Sequence, residues 1–411
     1  MAEDVQERAP SINIIMHSAF NPEARVDPHP MLSASREKCP IQRDEDMKTW
    51  WMGQYEPIRE AVNDRTYVRH PTKAEPESLS ARMAEERDAK GRDRTSILFL
   101  DDPDHSRIRL PLAKAFYARI NKMKPEIEAV IDTIIQAAPE TGEFDFVQYI
   151  AEPIPVYVIA RILGVDESRL AEFRAWSEAV ILSLNPVRTP EENVQMEEGA
   201  AKLNDYFAEL MVARRADPQD DLISDMVQLQ ASGEADIDDE DLQINLQALL
   251  VGGNLTTTDL IANGMWLFMN HPDQMQALKD NPALAGQAVE EVLRYEAPVS
   301  ITSRIVPDER VVAGCPVSKG QPIWMSLAAA NRDPRVFDAP DAFDITVKRK
   351  SHVAFGGGPH ICIGAPLARI EARYVFNEMM ARYPNMRLTD EEIVWRTLPF
   401  FRGIERMKVA V

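Results

Sequence analysis

The sequence predicts a mainly α-helical protein with small β-sheets, folded as one domain. Apolar residues recur at intervals of three and four over about residues 120–296, for example at Ile127, Val130, Ile131 and Ile134. This is the spacing of helices with one buried face. Alternating apolar residues, which indicate strands, are confined to short pieces such as Lys48 to Met52 and Arg304 to Val312. The 29 prolines are spread along the 411 residues without a repeat or a Gly/Ser linker, so no domain boundary is visible.

Composition excludes several classes of function. The formal net charge of −20 opposes a broad surface for nucleic acid or an anionic membrane. The first residues contain no basic stretch followed by a long apolar run, and no segment approaches the ~20 apolar residues of a membrane span. The three cysteines, Cys39, Cys315 and Cys362, are too few and too widely spaced for a disulfide framework. We therefore expect a soluble, cytoplasmic protein without a membrane anchor.

The predicted elements centre on one long helix. Residues 1–40 are expected to be irregular with one short helix, whereas residues 239–271 form a helix that Pro272 stops. At ~1.5 Å per residue this helix crosses the whole molecule. Its middle, residues 252–258 (GGNLTTT), combines weak helix formers with β-branched residues. Either the glycines leave room for a group near the backbone and a threonine hydroxyl opens the helix locally, or this is a tolerated kink.

The segment that decides the class of chemistry is residues 355–364, FGGGPHICIG, within a loop and helix predicted over residues 352–383. Three glycines allow a tight turn and leave flat space beside Cys362. Gly364 and the start of the following helix direct positive backbone groups towards the sulfur, which favours a thiolate. The alternative is that Cys362 is a small buried apolar residue, the usual state of a lone cysteine.

This segment resembles the haem-binding loop of the cytochrome P450 family, whose pattern is matched by Phe355, Gly356, Gly358, His360, Cys362 and Gly364. The resemblance implies a single, triangular, helix-rich domain over residues 1–411 around a buried haem b, with Cys362 as the axial ligand of the iron. A thiolate ligand donates electron density that promotes cleavage of the O–O bond.

Other family features follow in the expected order. Glu291 and Arg294 resemble the structural Glu-x-x-Arg ion pair, although Val347 stands where relatives carry the arginine that completes the network. The resemblance implies that the haem propionates are held by His105, Arg109, Arg304, His352 and His360. It also assigns Gly253, Phe355 and Gly364 to the cofactor site.

The central helix would line the oxygen-binding groove with Gly252, Gly253 and Thr256. Thr256 would hydrogen-bond bound dioxygen or a water that delivers protons. The acid expected immediately before it is replaced by Leu255, so Asn254 or Thr257 would have to organise water. Asp259, one turn away, would serve only through a rearranged path. We therefore expect slow or leaky oxygen activation, or a solvent route specific to this chain.

Substrate and partners are placed by the resemblance as well. The apolar residues expected around the substrate favour a small hydrocarbon-like or aromatic molecule: Leu98, Ala248, Val251, Gly252, Val299, Ile301 and Phe400. Arg92 and Arg94 are candidates for contact with a substrate carboxylate. No flavin or nicotinamide motif follows the haem segment, so electrons are expected from a ferredoxin or flavodoxin and its NAD(P)H reductase. The partner would dock on a local basic patch, for which the candidates are Arg107, Lys114, Arg119, Arg349, Lys350 and Arg373.

The resulting prediction is a monomeric monooxygenase that inserts one oxygen atom from O2 into its substrate. Two alternatives are kept. The missing acid would suit a peroxide-driven peroxygenase, and a haem sensor or ligand carrier would bind without turnover.

Overall fold

A computed structural model describes residues 13–88, 94–184 and 188–411. Within these ranges helices dominate and the sheets are small, as the sequence predicts. The α-helices are α1 (Asn13–Phe20), α2 (Pro22–Val26), α3 (His29–Lys38), α4 (Tyr55–Asn63), α5 (Leu79–Asp88), α6 (Asp104–Lys122), α7 (Lys124–Ala137), α8 (Pro153–Leu163), α9 (Leu170–Ile181), α10 (Pro190–Ala216), α11 (Leu222–Ser232), α12 (Asp239–Asn270), α13 (Pro272–Asp280), α14 (Ala285–Tyr295), α15 (Leu327–Ala330) and α16 (Ala365–Arg382).

The strands form four small sheets in the described residues. They are β1 (Ile41–Asp44), β2 (Thr49–Met52), β3 (Glu143–Asp145), β4 (Ile301–Ile305), β5 (Arg310–Val312), β6 (Cys315–Val317), β7 (Pro322–Ser326), β8 (Arg387–Leu388), β9 (Val394–Trp395), β10 (Ile404–Arg406) and β11 (Lys408–Ala410). The sheet orders are β1-β2-β7-β4, β3-β11-β8, β9-β10 and β5-β6. Only β2 and β7 pair in parallel; the other pairs in these sheets are antiparallel.

Two sequence predictions differ from these elements. Residues 13–38 form three short helices instead of one within an irregular segment. The strand expected from Arg304 to Val312 is two strands in different sheets, β4 and β5. Pro307 lies between them and has no N–H to continue a ladder, which accounts for the interruption. No helix among the described residues is both long and apolar enough to span a bilayer.

Helix α12 is the central element. The side chain of Asp238 caps its start by accepting from the N–H of Asp241, and three acidic residues in its first turn complement the helix dipole. It continues without a break through residues 252–258. The predicted local opening is limited to the hydroxyl of Thr256, which donates to the carbonyl of Gly252 at 2.7 Å. At about 1.5 Å per residue, its 32 residues extend about 48 Å.

A buried network of ion pairs and hydrogen bonds around Glu291 supports the segment that precedes the cysteine loop. Arg294 donates to both carboxylate oxygens, at 2.8 and 2.7 Å, and to backbone carbonyls, including that of Asn331. The arginine missing at position 347 is supplied by Arg349, whose Nε lies 3.1 Å from Glu291 Oε1, while Val347 is exposed. Asn331 in turn accepts from the N–H of Val353 at 2.8 Å. The network thus fixes the segment that enters the loop.

A second buried network joins distant parts of the chain. Glu296 accepts from Nε of Arg402 at 2.7 Å and lies 3.1 Å from Nε2 of His29. Arg402 also donates to the backbone carbonyls of Arg25 and Val26. Helices α2 and α3 are therefore fastened to the end of α14 and to the segment before β10.

Candidate active site

The cysteine loop is a constrained turn. Gly356 and Gly358 have φ values of 68° and 60°, in the left-handed region that favours glycine. A Cβ at Gly358 would also lie 2.5 Å from the carbonyl oxygen of Val62 at the end of α4. The N–H of Cys362 donates to the carbonyl of Phe355 at 3.0 Å, and α16 begins three residues later. The sequence folds into this loop because glycine alone fits both the dihedral angles and the space.

The sulfur of Cys362 experiences opposing influences. The side chain of Cys362 is exposed, but the protein atoms packed around its sulfur raise the pKa of the thiol, whereas the N–H groups of Gly364 and Ala365 and the charges of Arg109 and Arg369 act to lower it. The backbone groups predicted to favour a thiolate therefore do point at the sulfur, but they do not outweigh burial. A cation bound directly to the sulfur would outweigh burial, because a thiol that coordinates a metal ion is deprotonated.

Beside the loop lies a cluster of five basic side chains, the propionate cluster: Arg69, His105, Arg109, Arg304 and His360. The rings of His105 and His360 are 4.2 Å apart between centroids. Arg109 donates to the carbonyl of Ile361, and Arg304 donates to that of Val62 at 3.2 Å. The cluster thus draws α6, the end of α4 and β4 together at the cysteine loop.

The pKa values of this cluster show how closely like charges are confined. Burial, followed by the charges of Arg69, His105, Arg304 and Arg109, lowers the pKa of His360 to about 2. Burial and neighbouring Arg69 lower the pKa of Arg304 to about 9, and burial lowers that of Arg69 to about 10, with Asp101 opposing. Nε of Arg69 and Nε2 of His105 have no hydrogen-bond partner among the described residues. The unpartnered, buried N–H of the Arg69 guanidinium calls for an anionic partner.

Two members of the site differ from the sequence prediction. Arg69 was missed, because a lone arginine in an irregular segment carries no pattern and only the folded chain brings it to Arg304. His352 lies elsewhere: its Nε2 is 3.2 Å from Glu290, and its Nδ1 accepts from the N–H of Ala354 at 3.1 Å. Its role as a propionate ligand stays a prediction, and in this structure the side chain lies beside Glu290 of α14.

The residues of α12 that the sequence assigns to the oxygen-binding groove divide into open and packed positions. A Cβ added at Gly252 or Gly253 would meet no atom within 4 Å, so the backbone of α12 is approachable there. Leu255 is 3% exposed, and Asn254 and Thr257 are also buried. Asp259 is fully buried, with Arg396 Nε at 2.9 Å from its Oδ1. The two glycines therefore offer the room that a flat group needs, and Leu255 belongs to the core.

The structure joins the segments predicted around the substrate in two groups. Val299 bridges to Phe401, and the N–H of Ser300 donates to the carbonyl of Phe400 at 2.9 Å, which joins two of the expected segments. Ile301 follows in β4. Leu98 comes next to Ile97, whose N–H donates to Asn245 on α12, one turn before the half-buried Ala248 and Val251. Arg94 is engaged by Asp238 and Asp241, and Arg92 lies outside the described residues.

The predicted basic patch is only partly available. Arg107 pairs with Asp241, Arg119 with Asp225, and Arg349 with Glu291, so these three charges are balanced within the fold. In the described ranges Lys114, Lys350 and Arg373 form no ion pair. The apolar side chains of Leu110 and Ile361 are exposed close to Arg109.

Buried and half-buried basic side chains beside a cysteine are what a haem with two propionates requires, and the open backbone at Gly252 and Gly253 leaves room for a flat group. Comparison with known proteins agrees: the family model described as cytochrome P450 matches residues 42–393. The chain belongs to the cytochrome P450 family. As a member it is a monooxygenase that carries haem iron on a cysteine thiolate.

The relatives are bacterial P450s of the same length. Cytochrome P450 107B1 of Saccharopolyspora erythraea is 32% identical over 95% of this chain and 96% of its own. The vitamin D(3) 25-hydroxylase of Pseudonocardia autotrophica is 31% identical over 96% of both chains. The ligand-free crystal structure of CYP164A2 from Mycobacterium smegmatis superposes with a TM-score of 0.87, at 30% identity over 98% of this chain and 100% of that one.

Proposed function

We propose that this P450 inserts one oxygen atom from O2 into a small, largely apolar substrate, using two electrons from a separate redox protein. The observation that supports it most is the propionate cluster next to Cys362. Its five side chains would hold the haem propionates, and Cys362 would bind the iron. When bound, haem supplies the chemistry of O2 reduction and substrate oxidation. Phe355 and Gly364 would also contact the bound haem, and Gly253 would leave room for it.

Thr256 is proposed to hold dioxygen or a proton-delivering water. The hydroxyl of Thr256 donates its hydrogen to the carbonyl of Gly252. While this bond persists, the lone pairs of the hydroxyl oxygen can accept a hydrogen bond from an incoming donor. The aliphatic Leu255 cannot relay a proton. Asn254 and Thr257 are proposed to help to order water beside Thr256.

An apolar substrate suits the side chains proposed for its pocket, which are Leu98, Ala248, Val251, Val299, Ile301 and Phe400. Gly252 would leave space beside them. Two solved relatives support this class: CYP109E1 of Bacillus megaterium was crystallised with testosterone and the myxobacterial CYP267B1 with myristic acid. Testosterone and myristic acid are largely hydrocarbon, and such molecules suit apolar side chains.

The electron donor is proposed to be a ferredoxin or flavodoxin with its NAD(P)H reductase. Bacterial P450s take electrons from ferredoxin and reductase partners. We propose that the partner docks where Leu110 and Ile361 are exposed beside Arg109, with Lys114, Lys350 and Arg373 as the available charges. Apolar residues ringed by a few cations suit a transient complex with an acidic protein. We propose that the P450 itself acts as a monomer.

The test is reconstitution of the purified holoprotein. Compounds are first screened for a spectral shift of the ferric haem, and each hit is then incubated with NADH, ferredoxin and reductase. We expect oxygenated product, and loss of the thiolate-type carbon monoxide spectrum in Cys362→Ser. Product formed from peroxide alone would favour the peroxygenase alternative. Ligand binding without product from any hit would favour a sensor or carrier, and either result would contradict the proposal.

A further inference from the structure

A cavity lies where the N-terminal helices α1 to α3 meet the start of β4 and the segment between β9 and β10. About 30 Å³ of it is open to the centres of water molecules. Since one water needs roughly 10–15 Å³ by this measure, the cavity has room for about two waters or for one chemical group of similar size. Its described lining includes no residue of α12, so it is not part of the oxygen-binding groove proposed along that helix.

The charged side chains that line this cavity are mostly positive. Among the described residues three are arginines, Arg25, Arg396 and Arg402, and one is a carboxylate, Glu296. This carboxylate is already shared, because Arg402 donates to it at 2.7 Å and Nε2 of His29 lies 3.1 Å from it. Burial lowers the pKa of His29 below its usual value, so the ring is neutral at pH 7. The cavity wall therefore carries more positive charge than Glu296 balances.

Two of these arginines and a serine have donors to spare. Arg25 is half-buried, and its guanidinium forms no hydrogen bond or ion pair with any described residue. Arg396 is 17% exposed and binds Asp259 through Nε at 2.9 Å, but its two terminal nitrogens make no hydrogen bond within the described ranges. In the same part of the chain the hydroxyl of Ser300 also has no partner. An oxyanion would satisfy all three groups at once.

Arg402 holds this arrangement in place. It donates from its terminal nitrogens to the backbone carbonyls of Arg25 and Val26, and from Nε to Glu296. Its central carbon lies 3.5 Å from the centroid of the Trp395 ring. With all three nitrogens engaged, Arg402 fixes the backbone that carries Arg25 and leaves the contact with a ligand to other side chains.

We propose that this cavity binds a carboxylate group, held by the guanidinium groups of Arg25 and Arg396 and by the hydroxyl of Ser300. A guanidinium presents parallel N–H donors that match the two oxygens of a carboxylate. The remaining wall contains apolar side chains, among them Leu32 and Leu398, which suit an organic acid better than a strongly hydrated inorganic dianion. The site does not depend on the proposed monooxygenase function, because binding is measured without turnover.

Two sources share this chemistry. One is a free small acid such as formate, which has the size of the cavity. The other is the carboxylate end of a longer, amphipathic acid. Ser300 stands between Val299 and Ile301, both proposed to contact the substrate, and Ile301 itself lines the cavity. Only this second source rests on the proposed function, since it makes the longer acid a substrate.

The test uses the holoprotein with sodium formate as the probe. The urea midpoint is measured as the formate concentration is raised, because a ligand that binds only the folded protein stabilises it. Arg25→Gln removes a guanidinium that has no partner in the described chain, so its midpoint without formate should stay close to that of wild type. Arg65→Gln is the matched control: it removes the same charge from an exposed position outside the cavity lining and so reports the general effect of salt.

Wild type and Arg65→Gln are expected to give one saturable rise of the midpoint with formate. Arg25→Gln should bind formate about 10- to 100-fold more weakly, the factor expected for loss of a charged hydrogen bond, and Ser300→Ala should weaken binding less. A crystal of the wild type grown with sodium formate should show the ion against Arg25 and Arg396.

Octanoate distinguishes the two sources. If the site takes the end of a longer acid, octanoate will compete with formate and shift the spectrum of the ferric haem, and Arg25→Gln will weaken both effects. If octanoate does not compete, the site belongs to a small free acid. Either result agrees with a carboxylate site.

Equal responses to formate in wild type and Arg25→Gln would overturn the inference. So would a formate ion that is seen in the crystal but has no saturable effect in solution, which is binding at crystal concentration only. If Arg25→Gln fails to fold, Ser300→Ala decides by the same comparison with wild type. A wild type that forms no product from any substrate refutes the proposed function and leaves these binding measurements unchanged, so the two failures are distinguishable.

Discussion

Removal of the charge at Glu291 is expected to destabilise the fold far more than the same change at its neighbour. Glu291 is 3% exposed, and its carboxylate accepts four hydrogen bonds, two from Arg294, one from Arg349 and one from the N–H of Asp344. Glu291→Gln keeps the shape but leaves two guanidinium groups without a counter-charge. Breaking a buried pair in this way costs about 3–5 kcal/mol. This corresponds to an increase of roughly 10²- to 10³-fold or more in the unfolding constant at about 1.4 kcal/mol per tenfold.

Glu290→Gln is the matched control one residue earlier. Burial works against ionisation of Glu290, but hydrogen bonds from Arg369 and His352 outweigh it and lower its pKa to about 2. The side chain is, however, 43% exposed, so solvent screens most of the pairing energy. We expect a loss of about 1 kcal/mol or less.

In the assay the two holoproteins, at equal haem occupancy, are unfolded in urea, and far-ultraviolet circular dichroism monitors the unfolding. A shift of the midpoint at constant slope reports a change in the free energy of unfolding. Equal midpoints for Glu291→Gln and Glu290→Gln would refute the argument that burial, and not the presence of an ion pair, sets the cost.

Three further predictions follow from the described contacts. Arg69→Leu should speed haem loss about 10- to 100-fold, measured by transfer to apomyoglobin, because a charged hydrogen bond contributes about 1.5–3 kcal/mol; Arg65→Leu, at an exposed position, should leave the rate unchanged. Burial raises the pKa of Glu371 to about 8. The contribution of its carboxyl group to stability is therefore full below the unfolded pKa of about 4.3 and is lost as the pH rises through 8. In urea titrations Glu371→Gln should be a few kcal/mol more stable than wild type at pH 8 and little more stable at pH 5, and an equal gain at both pH values would contradict this. Gly403→Ala should lower the melting temperature steeply, since its Cβ would meet the Asp259 carboxyl, whereas Gly286→Ala, with open space, should be neutral or slightly stabilising in the same thermal scan.

The parts of the molecule that sequence could predict are those whose signal is local. The helical period and its stop at Pro272 bound α12 to within one residue, and the glycines and cysteine of residues 355–364 predict the loop. Val347 stands where relatives carry the arginine that pairs with the Glu291 network, and in the fold Arg349, two residues later, takes that place. Sequence spacing does not tell which of positions 347 and 349 contacts Glu291, because this depends on the path that the backbone takes between them.

Members of the site joined only by tertiary contacts were harder to predict. Arg69 and Arg304 are 235 positions apart in sequence, so no periodicity connects them. His352 was assigned by its place before the loop, but Glu290 competes for it through the packing of α14. The sequence places Asp259 one turn from the expected acid, where it would serve only through a rearranged path, and only the folded chain brings Arg396 to its carboxylate.

The Glu296 network also bears on how the protein is made. Arg402 lies 377 positions after the residue whose carbonyl it binds, Arg25. During synthesis the backbone carbonyls of Arg25 and Val26 in helix α2 therefore remain without this partner until almost the whole chain has been made. Contacts of such long range slow folding, and an unfinished chain exposes apolar surface meanwhile. Chaperone supply during expression is expected to limit the yield of this enzyme more than the stability of its finished core.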